Sequence, residues 1–315
     1  MPANLPRMDT PQKQVILVHG RGFKPPKADF ERLWKDALEV GFGRDRPDLL
    51  PALKAADVRV AYYADLSADW LAKIGRKPKP GDTDRRRTTL RQLAELKASQ
   101  FTRNHYARMR GSAPVFEAIA DFVDYPLSLL RLSERLFREY APELAEYWAD
   151  VHFGSDLRLR LTDTLRKAMK REGPVCLVGH SLGSMICYDV LWKLSHYGEY
   201  RREPWNRPVD LLLTLGSPVA DETIRRHLKG QNAPEEFRHP TNVRRWVNIA
   251  AEDDIIAHDQ TVADDFAAMR RAGCQITDHR IYNLALRNGR PNPHEGTGYL
   301  VHPKTVRVLA KFLEA

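Results

Sequence analysis

The chain has 315 residues, 43% hydrophobic and 29% charged, with a formal net charge of +9. That composition is ordinary for a globular protein and allows one large α/β domain or two modest ones. No apolar run approaches the roughly 20 residues of a membrane-spanning helix, and Cys176, Cys187 and Cys274 lack the C-x-x-C spacing of a redox or zinc site.

The opening stretch, MPANLPRMDTPQKQ, is polar and proline-bearing, without the apolar centre of a signal peptide. With cysteines placed singly in apolar segments, it sets the expectation of a reducing, cytoplasmic environment and no disulfides. QVILVHGRG (14–22) then reads as a buried strand ending at a glycine-rich turn. In ADFERLWKDALEVG, Phe30, Leu33, Trp34, Ala37 and Leu38 recur at helical spacing, with a stop expected at Gly41. DVRVAYYADL (57–66) alternates and is rich in β-formers, predicting a second strand. Residues 67–150 show only helical patterns, interrupted at KPKPGDT, Gly111, Pro126 and Pro142. They read as a helical insertion, a lid or cap candidate, within a single domain spanning 1–315.

Strand–helix alternation resumes with SDLRLRLTDTLRKAMKREG, where Leu157, Leu161, Leu165, Ala168 and Met169 share a face. PVCLVG is a continuous apolar strand, followed by a helix striped by Leu182, Met185, Ile186, Val190 and Leu194. VDLLLTLGSP, VRRWVNIAA and CQITDHRIYNL predict three further strands. PKTVRVLAKFLEA is a closing amphipathic helix with Pro303 in its first turn. Strands separated by helices imply an α/β fold: a mostly parallel sheet of six strands or slightly more, with helices on both faces.

Between the third strand and its helix lies Gly179-His180-Ser181-Leu182-Gly183, a G-x-S-x-G motif in the one context where it carries meaning. A serine at the tip of a sharp strand-to-helix turn projects its hydroxyl from the sheet edge, and the helix N-terminus aims free N–H groups at the reacting centre. The plain alternative is a serine in an ordinary βα loop.

Here the chain resembles the α/β-hydrolase superfamily, particularly bacterial serine esterase- and lipase-like members. The resemblance rests on VHGRG (Val18–Gly22), GHSLGS (Gly179–Ser184), LTLGSP (Leu213–Pro218), WVNIAAEDDIIA (Trp246–Ala257) and PHEGTGYLVHP (Pro293–Pro303). It implies the α/β-hydrolase fold, a nucleophilic serine, an ester or thioester preference, and the chain order nucleophile, acid, histidine. The oxyanion donors would be the backbone N–H of Leu182 and one from the turn after the first strand, Arg21 first and Gly22 second. His19 in that turn reads as a packing residue. The family pattern fits Ala251-Glu252-Asp253-Asp254-Ile255-Ile256 with Asp254 as the acid and Asp253 as its main competitor; Glu252, Asp221 and Glu222 are lesser options. The base lies before the last helix, where His294 is favoured over His302, since a histidine beside Pro303 is explained by helix capping. His258 and His279 read as structural.

No metal or organic cofactor is called for, because H-E-x-x-H, P-loop and Rossmann signatures are missing. A serine hydrolase acting on small-molecule carboxylic esters, lipid-like ones included, is the leading expectation. An acyltransferase or thioesterase with the same triad, or a non-catalytic binding protein on a hydrolase scaffold, are the alternatives. The insertion contains an apolar cluster from which Phe116, Ile119, Phe122 and Val123 are candidates to contact an acyl chain, although such a run equally serves to dock the segment. Residues 67–110 hold 12 Lys/Arg against 4 Asp/Glu, and residues 111–150 hold 3 against 8. The basic part, 73–110, is a candidate contact for anionic headgroups or a phosphorylated substrate, or simply faces the acidic part and solvent. It lacks the aromatic interleaving of a single-strand nucleic-acid surface, so no nucleic-acid partner is expected.

Overall fold

Val15, Ile16, Leu17 and Val18 of the first strand, β1 (Gln14–Val18), are all buried, but they serve two different cores. Val15 and Leu17 join one apolar cluster and Ile16 and Val18 the other, as the two-residue period of a strand requires. The computed structural model describes residues 11–78, 80–111 and 142–315. Phe116, Ile119, Phe122 and Val123 lie outside them.

Six strands, β1, β2 (Asp57–Ala61), β3 (Val175–His180), β4 (Leu211–Leu215), β5 (Arg245–Ala251) and β6 (Gln275–Ile281), pair in the order β2-β1-β3-β4-β5-β6, all parallel. The described helices used below are α1 (Lys27–Asp45), α2 (Ala64–Lys73), α3 (Asp82–Ala94), α4 (Arg103–Arg110), α5 (Pro142–Ala149), α6 (Val151–Met169), α7 (Leu182–His196), α8 (Gly296–Val301) and α9 (Pro303–Glu314). Helices α1, α8 and α9 bury their apolar faces on one side of the sheet, and α6 and α7 on the other. This is the six-stranded parallel sheet with helices on both faces expected from the alternation of strands and helices. No helix among the described residues is long and apolar enough to cross a membrane.

At two of the boundaries that differ from the sequence expectation, the reason is packing. The second strand stops at Ala61 because its partner β1 ends opposite it at Val18; without a ladder partner the chain turns into α2 at Ala64. Helix α1 runs through Gly41 to Asp45. A Cβ at Gly41 would lie 2.8 Å from Val306 Cγ2 and 3.1 Å from the Val301 carbonyl, so this glycine admits α8 and α9 instead of ending the helix. In the 67–150 stretch, Leu90, Leu93 and Tyr106 of α3 and α4 join the α1 side of the core, whereas Leu144 and Tyr147 of α5 join the α7 side.

The order of strands fixes where a site can form. From β1 the chain crosses to β2 on one side, then returns to β3 on the other, so the carboxyl ends of β1 and β3 flank the switch point of the sheet. Crevices that bind ligands in open α/β sheets lie at such points. His19-Gly20-Arg21-Gly22 leaves β1 there, and Ser181 leaves β3 there.

Candidate active site

Ser181 has φ 56° and ψ −129°, a left-handed conformation that costs a non-glycine residue on the order of 1–3 kcal/mol. The surroundings hold it: its N–H donates to the Leu215 carbonyl at 3.1 Å, and Ser184 Oγ donates to its carbonyl at 2.6 Å. Close approach of α7 to β1 depends on Gly183, where a Cβ would fall 2.4 Å from the carbonyl oxygens of both Val18 and His19.

A continuous line of hydrogen bonds ends on the serine. Ser181 Oγ lies 2.9 Å from His294 Nε2, and His294 Nδ1 lies 2.9 Å from both Asp254 oxygens. A carboxylate can only accept, so Nδ1 carries the proton and Nε2 of the neutral ring accepts from the hydroxyl. Asp254, 1% exposed, is held by two further groups. Its Oδ1 accepts from the Ile256 N–H at 3.0 Å, and its Oδ2 accepts from Tyr299 OH at 2.6 Å. Tyr299 OH in turn accepts from the Ala251 N–H at 2.8 Å, joining the acid to the end of β5. Burial, then the adjacent Asp254 charge, push the Tyr299 hydroxyl well above its usual pKa, so it remains a donor.

The other acids and histidines go elsewhere. Asp253, with φ 62°, accepts from Tyr106 OH at 3.1 Å and pairs with Arg110 at 3.2 Å, which ties α4 to the end of β5. Glu252 is exposed. Asp221 caps a short helix and pairs with His258 at 3.3 Å, and this hydrogen bond raises the pKa of His258. His302 caps α9 by accepting from the Lys304 N–H at 3.0 Å, and burial pushes its pKa down to about 3. His19 donates Nδ1–H to the Gly20 carbonyl at 2.8 Å, so its Nε2 accepts from the Tyr63 N–H at 3.1 Å.

At the turn after β1 the two oxyanion candidates differ. The Gly22 N–H already donates to Glu143 Oε2 at 2.6 Å, whereas the Arg21 N–H belongs to the preceding peptide. On the other strand, Leu182 is the first residue of α7, and no acceptor among the described residues takes its N–H. Lys24 Nζ donates to the Arg21 carbonyl and, at 3.2 Å, to that of Gly22. Burial and the neighbouring Arg86 lower the Lys24 pKa to about 8, opposed by Glu143, Asp82 and Glu295.

Three contributors were not singled out from the sequence: His180, Glu143 and Tyr299. His180 occupies the variable position before Ser181, and Glu143 lies 121 residues from the turn it touches. Tyr299 lies within the PHEGTGYLVHP segment, where only the histidines carry a role in the sequence reading. Among the described residues, no group of three or more His, Cys, Asp or Glu is placed to hold a metal ion. Of the basic residues in 73–110, Arg85 and Arg86 pair with Asp82, Arg87 with Asp29 and Arg110 with Asp253.

No family model and no curated protein matches the chain. Among solved structures it is similar to the crystal structure of a double mutant of the esterase E40. The match has 14% identity and a TM-score of 0.29, and covers 76% of this chain and 98% of that one. A likeness that slight says nothing about chemistry.

Proposed function

We propose that the protein is a serine hydrolase that cleaves carboxylic esters through an acyl-enzyme, with Ser181 as nucleophile, His294 as general base and Asp254 as the acid. The observation that carries this reading is the unbroken line from Asp254 through His294 to Ser181, in 2.9 Å steps, ending on a strained serine at a strand-to-helix turn.

Ser181 Oγ attacks the acyl carbonyl while His294 Nε2 takes its proton. Asp254 keeps the imidazole in the accepting tautomer and stabilises the imidazolium. The Leu182 and Arg21 N–H groups receive the tetrahedral oxyanion, supported by the positive end of α7. His294 then passes the proton to the departing alcohol. A water molecule, deprotonated by His294 in its turn, releases the acid. Nothing in this sequence of steps calls on a metal or organic cofactor. Small esters, with lipid-like acyl groups among them, are the proposed substrate class.

The test is covalent labelling with a fluorophosphonate probe, alongside turnover of p-nitrophenyl esters of increasing acyl length. Wild type should label and turn over, and Ser181→Ala should do neither. Labelling that survives in Ser181→Ala removes Ser181 as nucleophile. An unlabelled, inert wild type favours the non-catalytic scaffold.

A further inference from the structure

The peptide unit between Arg21 and Gly22 is gripped at both ends by charged side chains. Its carbonyl accepts from the Lys24 ammonium, and its N–H donates to the Glu143 carboxylate at 2.6 Å. Gly22 has φ +83°, and a peptide followed by such a glycine turns over easily between the two common turn types. A side-chain hydrogen bond at each of its two ends removes that freedom. The peptide next to it carries the Arg21 N–H.

Glu143 is 0% exposed, and its Oε1 has no hydrogen-bond partner. A buried carboxylate that satisfies a single N–H is an expensive way to pack a helix; an apolar side chain of similar size would hold α5 at lower cost. Helix α5 is nonetheless pinned a second time, one turn further along. Tyr147 OH donates to Asp189 Oδ2 at 2.6 Å, and Asp189 lies buried on α7, with its Oδ1 accepting from the Lys229 N–H at 2.8 Å. Residues four apart share a helix face. One face of α5 therefore ties together the turn after β1 and the helix that follows Ser181, the two elements that supply the proposed oxyanion donors.

We infer that Glu143 is a positioning residue for the oxyanion hole: by holding the Gly22 N–H opposite the grip of Lys24, it locks the Arg21–Gly22 peptide and thereby the geometry of the Arg21 donor. The inference rests on the serine-hydrolase reading. It assigns Gly22 to the clamp and leaves Arg21 and Leu182 as the donors.

Glu143→Gln, Glu143→Asp and Glu143→Ala separate this role from simple packing. A glutamine carbonyl oxygen still reaches the Gly22 N–H; an aspartate keeps the charge but is one methylene too short. With a short-acyl p-nitrophenyl ester, Asp and Ala should lower kcat by about 10- to 100-fold, the scale of a misplaced catalytic geometry, with KM within about twofold. Fluorophosphonate labelling should slow in proportion, since its phosphoryl oxygen uses the same donors. Glu143→Gln should restore at least about a third of the wild-type rate, on the reasoning that the hydrogen bond is what matters. Thermal melting of each variant checks that it is folded, and if Ala does not fold, the Gln/Asp contrast decides.

The inference is overturned if Gln is as slow as Asp, if KM rises while kcat holds, or if Asp and Ala match or exceed wild type. The last result would make the carboxylate a mask over the Gly22 donor. A wild type that does not label at Ser181 defeats the functional reading itself. Normal labelling in wild type with unaltered Asp and Ala variants defeats the Glu143 assignment alone.

Discussion

His180 donates its Nε2–H to the backbone carbonyl of His294 at 3.0 Å, so the residue before Ser181 holds the loop that carries the proposed base. Burial, reinforced by His294, keeps the His180 pKa well below its ordinary value, which leaves a neutral ring with one N–H to give. The rings of His180 and His294 lie 4.8 Å apart, and a Cβ added at Gly296 would come within 3.3 Å of the His180 ring. His180→Ala would remove this hydrogen bond to the His294 carbonyl, a loss of about 0.5–1.5 kcal/mol. The expected result is a kcat lowered about tenfold or more, with a slowed fluorophosphonate reaction. Steady-state kinetics showing an unchanged kcat would reduce His180 to a packing residue.

Tyr299 supports the proposed acid in the way His180 supports the proposed base. Its hydroxyl donates to Asp254 and accepts from Ala251, so Tyr299→Phe removes two hydrogen bonds from a buried site. A loss of about 1–3 kcal/mol for each unsatisfied group is expected in denaturant unfolding, together with about a tenfold drop in kcat. A variant as stable and as active as wild type would show that the ring alone matters.

Asp253 and Asp254 are neighbours with opposite expected phenotypes. Asp254→Asn cannot hold the His294 tautomer and should lower kcat by about 10³- to 10⁴-fold. Asp253→Asn loses a half-exposed ion pair with Arg110 and weakens the contact with Tyr106, which should cost about 1 kcal/mol or less in stability and leave most of the activity. The reverse pattern in kinetics and unfolding would exchange their roles.

What the sequence made legible follows the reach of the signals it contains. The strands were plain because runs such as 175–178 and 211–213 are apolar throughout, as strands buried on both faces must be. The helical stripe Leu157, Leu161, Leu165 likewise matches a buried face. The motifs that carry the resemblance pointed at Ser181, Asp254 and His294, which the fold brings into one hydrogen-bonded line. Contacts made across the sequence left no such trace. Glu143 reads as a solvated helix acid until α5 is placed against the turn after β1. Asp189 sits on a helix buried nearly all round, where a charged residue contradicts the apolar pattern and is explained only by Tyr147, Arg158 and Lys229. Gly41 shows the opposite failure: a residue that locally suggests a helix end is there to admit α8 and α9.

His302 predicts a pH dependence of stability. It is buried at the start of α9, caps that helix as an acceptor, and packs edge-on against Phe101 with 5.0 Å between ring centroids. Burial, helped by Arg44, Lys304 and Arg307, lowers its folded pKa to about 3, against about 6.5 in an unfolded chain. Above pH 6.5 both states are neutral and the group does not affect stability. As pH falls below 6.5 the unfolded chain takes up a proton that the folded one refuses, so stability declines with pH until about 3. At pH 5 this single group should cost about 2 kcal/mol relative to pH 7. His302→Asn retains a capping acceptor without the titration. Its unfolding free energy should therefore fall less steeply between pH 7 and 5 than that of wild type, even if it is lower at pH 7. Equal slopes for the two proteins in urea unfolding across that range would show that His302 is not protonated on unfolding and would remove it as a source of acid sensitivity.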